Sequence, residues 1–303
     1  MKEEILVSVI IPTYNGKHKI RKILDSLKVQ TFQSFEIIIS IDGSIDGTFE
    51  YLNAIKNDFS NLIILHEPNG GRAICRNRGA QIANGKYLLF LDDDMRASSS
   101  LIEDHLSKHQ IHPDSIIVGS TYEDLNLSLT DIQKYRAYLS RKWTDLKSPQ
   151  LESPYLTAAN FSIKKEIFER LGMFDKQLND AEDYDLAITA FESGIAIYLY
   201  PELLGYHDDY ITCKSYIKRL REYEFAQKRL KEVKPERYVV KYPFRNTPPL
   251  GVIKQVIMYL FSFKVWVFAV DKQWFAWLPV KVKYKIYDLI ILSLSNYYKN
   301  VPI

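Results

Sequence analysis

The first hundred residues alternate between short apolar runs and stretches of helical periodicity. Runs rich in apolar residues predict strands at residues 5–11, 35–41, 62–65 and 87–91, and the five consecutive apolar residues at 87–91 predict a strand that is buried on both faces. Between these runs, apolar residues recur every three or four positions, which predicts helices. Four strands that alternate with helices through short connections predict a parallel sheet with helices on both faces.

The middle of the chain is less regular. Its pattern predicts strands at 115–120 and 195–200, helices at 131–143, 166–171 and 183–193, a loop at 148–154, and a basic amphipathic helix at 214–234. Because proline has no backbone N–H, we expect Pro12 to end the first strand and Pro201 to end the strand at 195–200.

The C-terminal part is set apart by three prolines between Pro243 and Pro249, which predict a linker. Beyond it, residues 252–270 and 286–298 are apolar, but charges interrupt both before a spanning length is reached. Lysines among tryptophans are typical of helices that lie in a membrane interface. A small helical subdomain that packs on the body or on a second copy is an equally good interpretation. We therefore predict two domains, 1–235 and a mainly helical extension at 236–303.

Composition narrows the class of protein. The 303 residues are 47% hydrophobic and 25% charged, with a net charge of +3, as in ordinary globular proteins. Residues 236–303 hold ten Lys and Arg against three Asp and Glu, so this tail carries +7 and residues 1–235 carry −4. This balance does not suggest nucleic acid as a partner, but it leaves an anionic surface open to the tail.

Cysteine usage and the N-terminus bear on the compartment. Cys75 and Cys213 form no C-x-x-C pair, so neither a disulfide framework nor a zinc site is predicted, and a reducing compartment fits. The first predicted strand follows Met1–Glu4 without a secretory signal.

Polar side chains follow the predicted strands where each one ends. Pro12-Thr13-Tyr14-Asn15 follows the first strand, Asp42 the second, and Asp92-Asp93-Asp94 the fourth, while Arg72 and Arg76 open the helix before the fourth strand. In an open parallel sheet, ligands bind at this edge. Three neighbouring carboxylates repel one another unless a cation neutralises them, and their oxygens suit Mg²⁺ or Mn²⁺.

Plainer interpretations exist for each of these residues. The acidic run could cap the next helix, Asp42 could cap its own helix, and Arg76 could pair with a surface carboxylate. The agreement of several strand ends nevertheless favours a pocket for a nucleoside diphosphate.

Four ordered segments carry a resemblance to a known family. Residues 7–15, 42–48, Arg76-Asn77 before 85–87, and 91–94 resemble family 2 glycosyltransferases of the GT-A fold. The similarity continues through Asn160, 171–175 and 181–186, and covers roughly 5–215. Where such proteins often have Asp-Asp-Gly-Ser, this chain has Ile41-Asp42-Gly43-Ser44.

The resemblance implies an α/β GT-A fold, with a mostly parallel Rossmann-like sheet flanked by helices. Residues 1–115 would then form the nucleotide-sugar half and 116–235 the acceptor half. It also implies an inverting, metal-dependent enzyme with a D-x-D motif that uses Mn²⁺ or Mg²⁺. Such an enzyme moves one sugar from a nucleotide-sugar donor, with UDP favoured, to a hydroxyl of a glycan or lipid-linked oligosaccharide in cell-surface polysaccharide synthesis.

The resemblance also implies residue roles. Nucleotide contacts fall on Pro12, Thr13, Tyr14, Asn15, Asp42, Arg72, Arg76, Asp92 and Asp93. The metal falls on Asp94 with support from Asp92 and His207. Asp183 would be the catalytic base, and Asp180, Glu182 and Asn160 would contact the acceptor. Without the resemblance, Glu182 and Asp183 are explained equally well as carboxylates that stabilise a helix N-terminus.

Other features set the expected context. The Gln-x-x-Arg-Trp motif of processive relatives is absent, and Lys218-Arg219-Leu220-Arg221-Glu222-Tyr223 stands in that region, which favours transfer of one sugar per encounter. We expect a cytoplasmic protein, peripheral on the inner face of a membrane through 243–303, with homo-oligomerisation left open.

Two other classes of function share parts of this pattern. A nucleotidyltransferase would need a glycine-rich phosphate loop after the first strand, and Pro12–Gly16 is not one. A non-catalytic sugar-binding assembly subunit is the other class, and the intact Asp94 and Asp183 argue against it.

Overall fold

The structure is a computed structural model that describes residues 5–127, 129–140, 148–178, 180–208, 210–244 and 247–303. The chain forms two compact units. The first contains residues 5–122 and 148–208, and the second contains 123–140 and the described residues from 210 onward. The predicted end of a helix at Trp143 and part of the predicted linker lie outside the described residues. The boundary at residue 235 stays a prediction.

The first unit is built on one eight-stranded sheet in the order β3-β2-β1-β4-β7-β6-β8-β5. Strands β1 to β4 are parallel, whereas β7 is antiparallel to both β4 and β6, and β5 is antiparallel to β8. The strands are β1 (Val7–Thr13), β2 (Phe35–Asp42), β3 (Leu62–Glu67), β4 (Tyr87–Leu91), β5 (Met95–Ala97), β6 (Ile116–Glu123), β7 (Asn160–Lys164) and β8 (Ile197–His207). The predicted mostly parallel α/β sheet is confirmed.

Helices cover both faces of this sheet, as the apolar runs predicted. They are α1 (Ile20–Lys28), α2 (Thr48–Ile55), α3 (Arg72–Ile82), α4 (Leu101–Ile111), α6 (Lys165–Arg170) and α7 (Glu182–Glu192). Val9 and Ile11 of β1 pack in one cluster with α1, α2 and α4, and Ile10 packs in a second cluster with α3, α6 and α7. A Cβ on Gly79 would lie 2.7 Å from Ile10 Cγ2, so α3 packs closely on β1.

Two predicted strand ends are wrong. Strand β1 continues through Pro12 to Thr13, and β8 continues through Pro201 to His207. Proline lacks only a donor, so a strand tolerates it where one of its two sides is unpaired. Pairing of β1 with β4 stops at Ile10, and pairing of β8 with β5 begins only at Gly205.

The second unit is helical. It contains α5 (Asp131–Ser140), α8 (Cys213–Val233), α9 (Val252–Leu260), α10 (Lys264–Asp271) and α11 (Val280–Leu292), with π-helical turns at Glu236–Lys241 and Ser293–Tyr297. Its core packs Ile217, Val270, Tyr287 and Ile290 together. The predicted basic helix is confirmed as α8.

Candidate active site

The loop after β1 is braced by the loop after β2. The Asn15 N–H donates to Ser44 Oγ at 2.9 Å, and Asn15 Oδ1 accepts from the Ile45 N–H at 3.0 Å. The Gly16 N–H donates to Thr48 Oγ1 at 3.0 Å. These contacts fix the loop while leaving its Tyr14 side chain 51% exposed. Tyr14 is therefore available to a ligand, whereas Pro12 is buried.

Asp42, at the end of β2, orders the turn that leads into α3. Its two carboxylate oxygens accept the N–H groups of Gly70 and Gly71 at 2.7 and 2.9 Å. Each oxygen keeps a second lone pair for another donor. The predicted contact of Asp42 with a base thus stays a prediction, and bracing of the α3 entry is a role that the sequence did not reveal.

The three carboxylates after β4 have different partners. Asp92 Oδ1 accepts from Arg76 Nη2 at 2.8 Å, and Asp93 accepts from Thr13 Oγ1 at 2.5 Å and pairs with Lys19 Nζ at 2.8 Å. Burial raises the pKa of Asp93 to about 6, although Lys19 opposes the shift. A Cβ on Gly16 would collide with the Thr13 hydroxyl, so this bond needs a glycine there. Arg76 and Lys19 therefore neutralise Asp92 and Asp93 within the protein.

The third carboxylate faces a histidine from another strand. Because β5 pairs with β8 with Met95 opposite His207, Asp94 comes within 3.8 Å of the ring, measured from Oδ1 to Nδ1. The Asp208 N–H donates to the Asp94 carbonyl oxygen at 3.0 Å, and the Asp208 carboxylate binds Arg96 Nε at 2.7 Å. Asp208 and Arg96, which sequence reasoning missed, hold this pair in register.

The residues present fit a divalent ion in part. His207 Nδ1 is buried and has no hydrogen-bond partner in the described part of the chain. The 3.8 Å gap to Asp94 Oδ1 is too long for a hydrogen bond but suits two ligands of one ion. Over the described ranges, no group of three or more His, Cys, Asp and Glu is arranged to hold a metal by itself. The remaining ligands of an ion would have to come from a bound diphosphate or from water.

Arg76 joins the two acidic motifs. It is buried in the second turn of α3, and its Nη1 donates to Glu182 Oε1 at 2.6 Å while Nη2 donates to Asp92 Oδ1. Burial alone would lower the pKa of Arg76, but Asp92, Glu182 and Asp183 together raise it. Both terminal nitrogens are thus occupied within the protein. A nucleotide contact by Arg76 stays a prediction.

Asp183 lies in the first turn of α7 beside this arginine. Its carboxylate accepts from the Tyr184 N–H at 2.7 Å and the Ala158 N–H at 3.3 Å. Burial, followed by the neighbouring Glu182 charge, raises the pKa of Asp183 to about 6. A partly exposed carboxylate with a pKa near neutrality is suited to accept a proton. Its role as the base stays a prediction.

Two further contacts tie α3 to the chain before α7. Arg72 pairs with Asp180, which adopts a left-handed backbone with φ of 64°. Asn77 donates through Nδ2 to the Phe174 carbonyl oxygen at 2.8 Å and accepts its N–H at 3.1 Å. The Arg76-Asn77 motif therefore fixes the two predicted halves of the site to each other.

A buried network behind the site was not predicted. Asn160 donates to the carbonyl oxygens of Ser120 and Leu203, and its Oδ1 lies 3.0 Å from His105 Nε2. Ser162 Oγ lies 2.8 Å from both His105 Nδ1 and His109 Nε2. Asn160 is fully buried, so it presents no surface to an acceptor, and its predicted contact remains without support from this geometry.

Comparisons with known proteins bear on the family to which the chain belongs. The family model described as "Glycosyl transferase family 2" matches residues 8–172, more than half of the chain, and its range ends before Asp183 and His207. The uncharacterized glycosyltransferase RP339 of Rickettsia prowazekii is 30% identical over 233 residues, which cover 74% of this chain and 72% of the relative. YfnE of Bacillus subtilis, also named an uncharacterized glycosyltransferase, is 26% identical over 69% of this chain and 66% of its own, just under two thirds.

Solved structures share the fold. Staphylococcus aureus TarS 1-349 in complex with UDP superposes with a TM-score of 0.56 at 18% identity, over 98% of this chain and 92% of that one. The mannosyltransferase PcManGT of Pyrobaculum calidifontis, in complex with GDP-Man and Mn²⁺, gives 0.59 at 16% identity, over 97% and 87%. The protein belongs to glycosyltransferase family 2, and it is a glycosyltransferase with the GT-A fold.

Proposed function

We propose that the protein is a metal-dependent, inverting glycosyltransferase that moves one sugar from a nucleotide-sugar donor to a hydroxyl acceptor. The observation that carries this proposal is the bridge made by Arg76. Its two nitrogens hold Asp92, which follows β4, and Glu182, which precedes Asp183. The bridge brings the carboxylates of the donor side next to the carboxylate that would act on an acceptor.

The donor would lie across the ends of β1, β2 and β4. Exposed Tyr14 would cover the base, with Thr13 and Asn15 in its loop, Asp42 and Arg72 nearby, and Asp93 at the ribose. We favour a UDP-sugar, and the UDP complex of TarS, a protein of the same fold, supports this choice. The GDP-Man complex of PcManGT makes GDP the first nucleotide to test against it.

Asp94 and His207, with Asp92 in support, would hold a divalent cation of the Mn²⁺ or Mg²⁺ type. Such an ion supplies positive charge for the diphosphate that leaves. Asp94 and His207 face each other at 3.8 Å, and the Asp208–Arg96 pair keeps them in place. The proposal that Asp94 is the metal-binding member of a D-x-D motif rests on its position opposite His207.

Asp183 would act as the general base. As the acceptor oxygen forms its bond to the anomeric carbon, its proton passes to the Asp183 carboxylate. The bond from the anomeric carbon to the donor phosphate breaks on the opposite side, and its electron pair leaves with the nucleoside diphosphate. A single displacement of this kind inverts the anomeric centre. Asp180 and Glu182 would contact acceptor hydroxyls, although each already has an arginine partner.

A glycan or a lipid-linked oligosaccharide in cell-surface polysaccharide synthesis, on the inner face of a membrane, is the context we favour. A panel of such acceptors with a fixed donor would distinguish them.

Calorimetry with Mn²⁺ and UDP, GDP or TDP tests the proposal. We expect metal-dependent uptake of one nucleotide, with Asp94→Ala weakening it by at least about tenfold. Asp114→Ala removes an exposed carboxylate elsewhere in the same unit and should leave uptake unchanged. Release of nucleoside diphosphate from the matching nucleotide sugar should follow. Uptake without release would favour a binding subunit, and absence of any uptake would reject both.

A further inference from the structure

One stretch of the second unit exposes its large apolar side chains. We call residues 252–282 the apolar segment. In α9, eight of nine residues are exposed and only Met258 is buried. Ile253 is 79% exposed, and Trp277, beyond α10, is 81% exposed. A helix of a globular protein normally buries its apolar stripe. A contiguous exposed apolar stretch therefore points to a surface that something else covers.

Within residues 252–282, the exposed charged side chains are all lysines, namely Lys254, Lys264, Lys272 and Lys281. Beyond the segment, α11 adds a fifth exposed lysine, Lys285, and an exposed carboxylate, Asp288. The only acidic residue between 252 and 285 is Asp271, which accepts the backbone N–H of Cys213. A sixth lysine, Lys283, is buried and pairs with Asp131 at 3.0 Å. A partner that covers this surface must therefore be compatible with positive charge, as a neutral or anionic surface is.

The helices of the segment are too short to cross a bilayer singly. Nine residues of α9 extend about 14 Å, less than half of the hydrocarbon thickness of about 30 Å. In the part of the chain that the structure describes, no one helix has the length and composition of a span, and α9 with α10 meets that test only as a pair bent by 58°. Short, bent helices rich in lysine and aromatic residues suit the plane of a membrane interface.

Aromatic rings strengthen this match. Tyr259 packs against Phe263 with ring centres 5.3 Å apart, and Phe268 packs against Trp274 at 5.7 Å. Lys272 Nζ lies 5.7 Å from the Phe268 ring centre. Tryptophan and tyrosine favour the headgroup level, because one part of each ring system is apolar and another is polar.

We propose that the apolar segment docks peripherally on a lipid bilayer with anionic headgroups. Its apolar side chains enter the boundary between headgroups and acyl chains, and its lysines meet lipid phosphates. Charge favours this occupant over a second copy of the chain. Two copies joined through this surface would bring their lysines together, and no exposed carboxylate of the segment would neutralise them.

Vesicle flotation of the full chain tests the proposal. We expect the wild-type protein to float with vesicles of phosphatidylcholine and phosphatidylglycerol, and to float less with phosphatidylcholine alone. The double variant Ile253→Ser/Trp277→Ser should lose at least about tenfold of its partition, because two exposed apolar anchors are removed. Phe225→Ser is the matched control, since Phe225 is 73% exposed on α8, outside the segment. It should float like the wild type.

A second variant separates charge from apolar contact. Lys264→Gln/Lys272→Gln/Lys281→Gln should weaken binding to the anionic vesicles at least about tenfold, and added salt should act in the same direction. Binding to phosphatidylcholine alone should not change. Thermal melts by circular dichroism verify that each variant is folded.

Three outcomes would overturn the proposal. The wild-type protein could fail to float with anionic vesicles, or the Ile253→Ser/Trp277→Ser variant could float as well as the wild type. Sedimentation equilibrium could also show a dimer that this variant dissociates, which would assign the surface to a second copy. None of these readouts depends on glycosyl transfer. Failure of this proposal would therefore not reject the proposed function, which has its own test.

Discussion

The two units treat charged and apolar side chains in opposite ways. The first unit buries Arg76, Asp93 and Glu182 at the edge of its sheet, whereas the second exposes most of α9 to solvent. The second unit can also bury charges, because Lys283 and Asp131 form a buried ion pair there. The contrast therefore concerns the exposed apolar side chains of the second unit. Buried charges are stable only when each has a partner, and an exposed apolar surface persists where a partner covers it.

In the first unit, the partners of buried charges lie within the chain. Arg76 neutralises Asp92 and Glu182, and Lys19 neutralises Asp93. The acidic run after β4 is therefore less repulsive than its sequence suggests, and Asp94 and His207 are the candidate ligands of a cation. In the second unit, the partner proposed for residues 252–282 lies outside the chain. Substitutions at the site of the first unit should therefore change activity or the free energy of unfolding. Substitutions of exposed residues in 252–282 should instead change binding to vesicles.

Asp183→Asn should give the largest effect on activity. Removal of a general base reduces kcat by about 10²–10⁴, while donor affinity should change less than about threefold because the donor contacts remain. Initial rates of nucleoside diphosphate release and calorimetry with the donor measure the two quantities. Glu192→Gln, at the exposed other end of α7, is the control and should be neutral. A turnover within tenfold of the wild type would remove Asp183 from the mechanism.

The stability of the same variant, relative to the wild type, should depend on pH. The pKa of Asp183 is raised to about 6 by burial and by Glu182, so its ionised form costs stability. That cost is fully present above about pH 6 and disappears as the pH falls to its unfolded value near 3.9. Asp183→Asn should therefore raise stability at pH 7.5, by up to about 3 kcal/mol, and not at pH 4. Urea unfolding at both pH values measures the difference, and equal gains would contradict the assigned pKa.

Arg76→Met should give the next largest effect, which is a loss in the free energy of unfolding. It leaves Asp92 and Glu182 without their shared cation, and breaking a buried ion pair from one side costs about 3–5 kcal/mol. Arg78→Met, two residues along α3, removes a partly exposed arginine that donates to the Pro68 carbonyl oxygen, and should cost less than about 1 kcal/mol. Equal losses in urea unfolding would show that the bridge does not carry the stability assigned to it.

How much the sequence could predict depended on where polar residues were buried. The apolar runs of β1 to β4 have one simple interpretation, and the structure confirms it. Helix α4 and strand β7 escaped prediction because His105, His109, Asn160 and Ser162 interrupt their apolar patterns. These residues are buried against one another. Local periodicity cannot distinguish a polar residue that faces water from one that has a buried partner.

The site shows the same division. The convergence of Asp42 and the acidic run at one edge followed from strand direction. Strand direction does not predict which residue pairs with each carboxylate. Arg76, for example, binds Glu182, which lies 106 positions away in the sequence. Asp208 could not be found either, since only the pairing of β5 with β8 gives it a role. Pairings between distant residues are decided by tertiary structure.

The buried histidines make the first unit sensitive to acid. Burial lowers the pKa of His105 to about 4 and that of His109 to about 3. Their stabilisation is fully present above pH 6.5 and is lost as the pH falls toward those values, because the unfolded chain then binds more protons. Between pH 6.5 and 5 this amounts to about 2 kcal/mol per histidine. His109→Gln should lose less stability over that interval than the wild type in urea unfolding. His18→Gln, at an exposed position, should lose as much as the wild type.

Trp277→Ser should have the smallest effect on stability, although it removes a large apolar side chain. The ring is 81% exposed, and surface substitutions usually change stability by less than about 0.5 kcal/mol. Within the same unit, Tyr287→Ala should cost about 3–5 kcal/mol, because Tyr287 is fully buried in the helical core. Urea unfolding without lipid measures both. If Trp277→Ser cost more than about 2 kcal/mol, something would already cover that ring in solution. A loss that vanished on dilution would identify the cover as another copy of the chain.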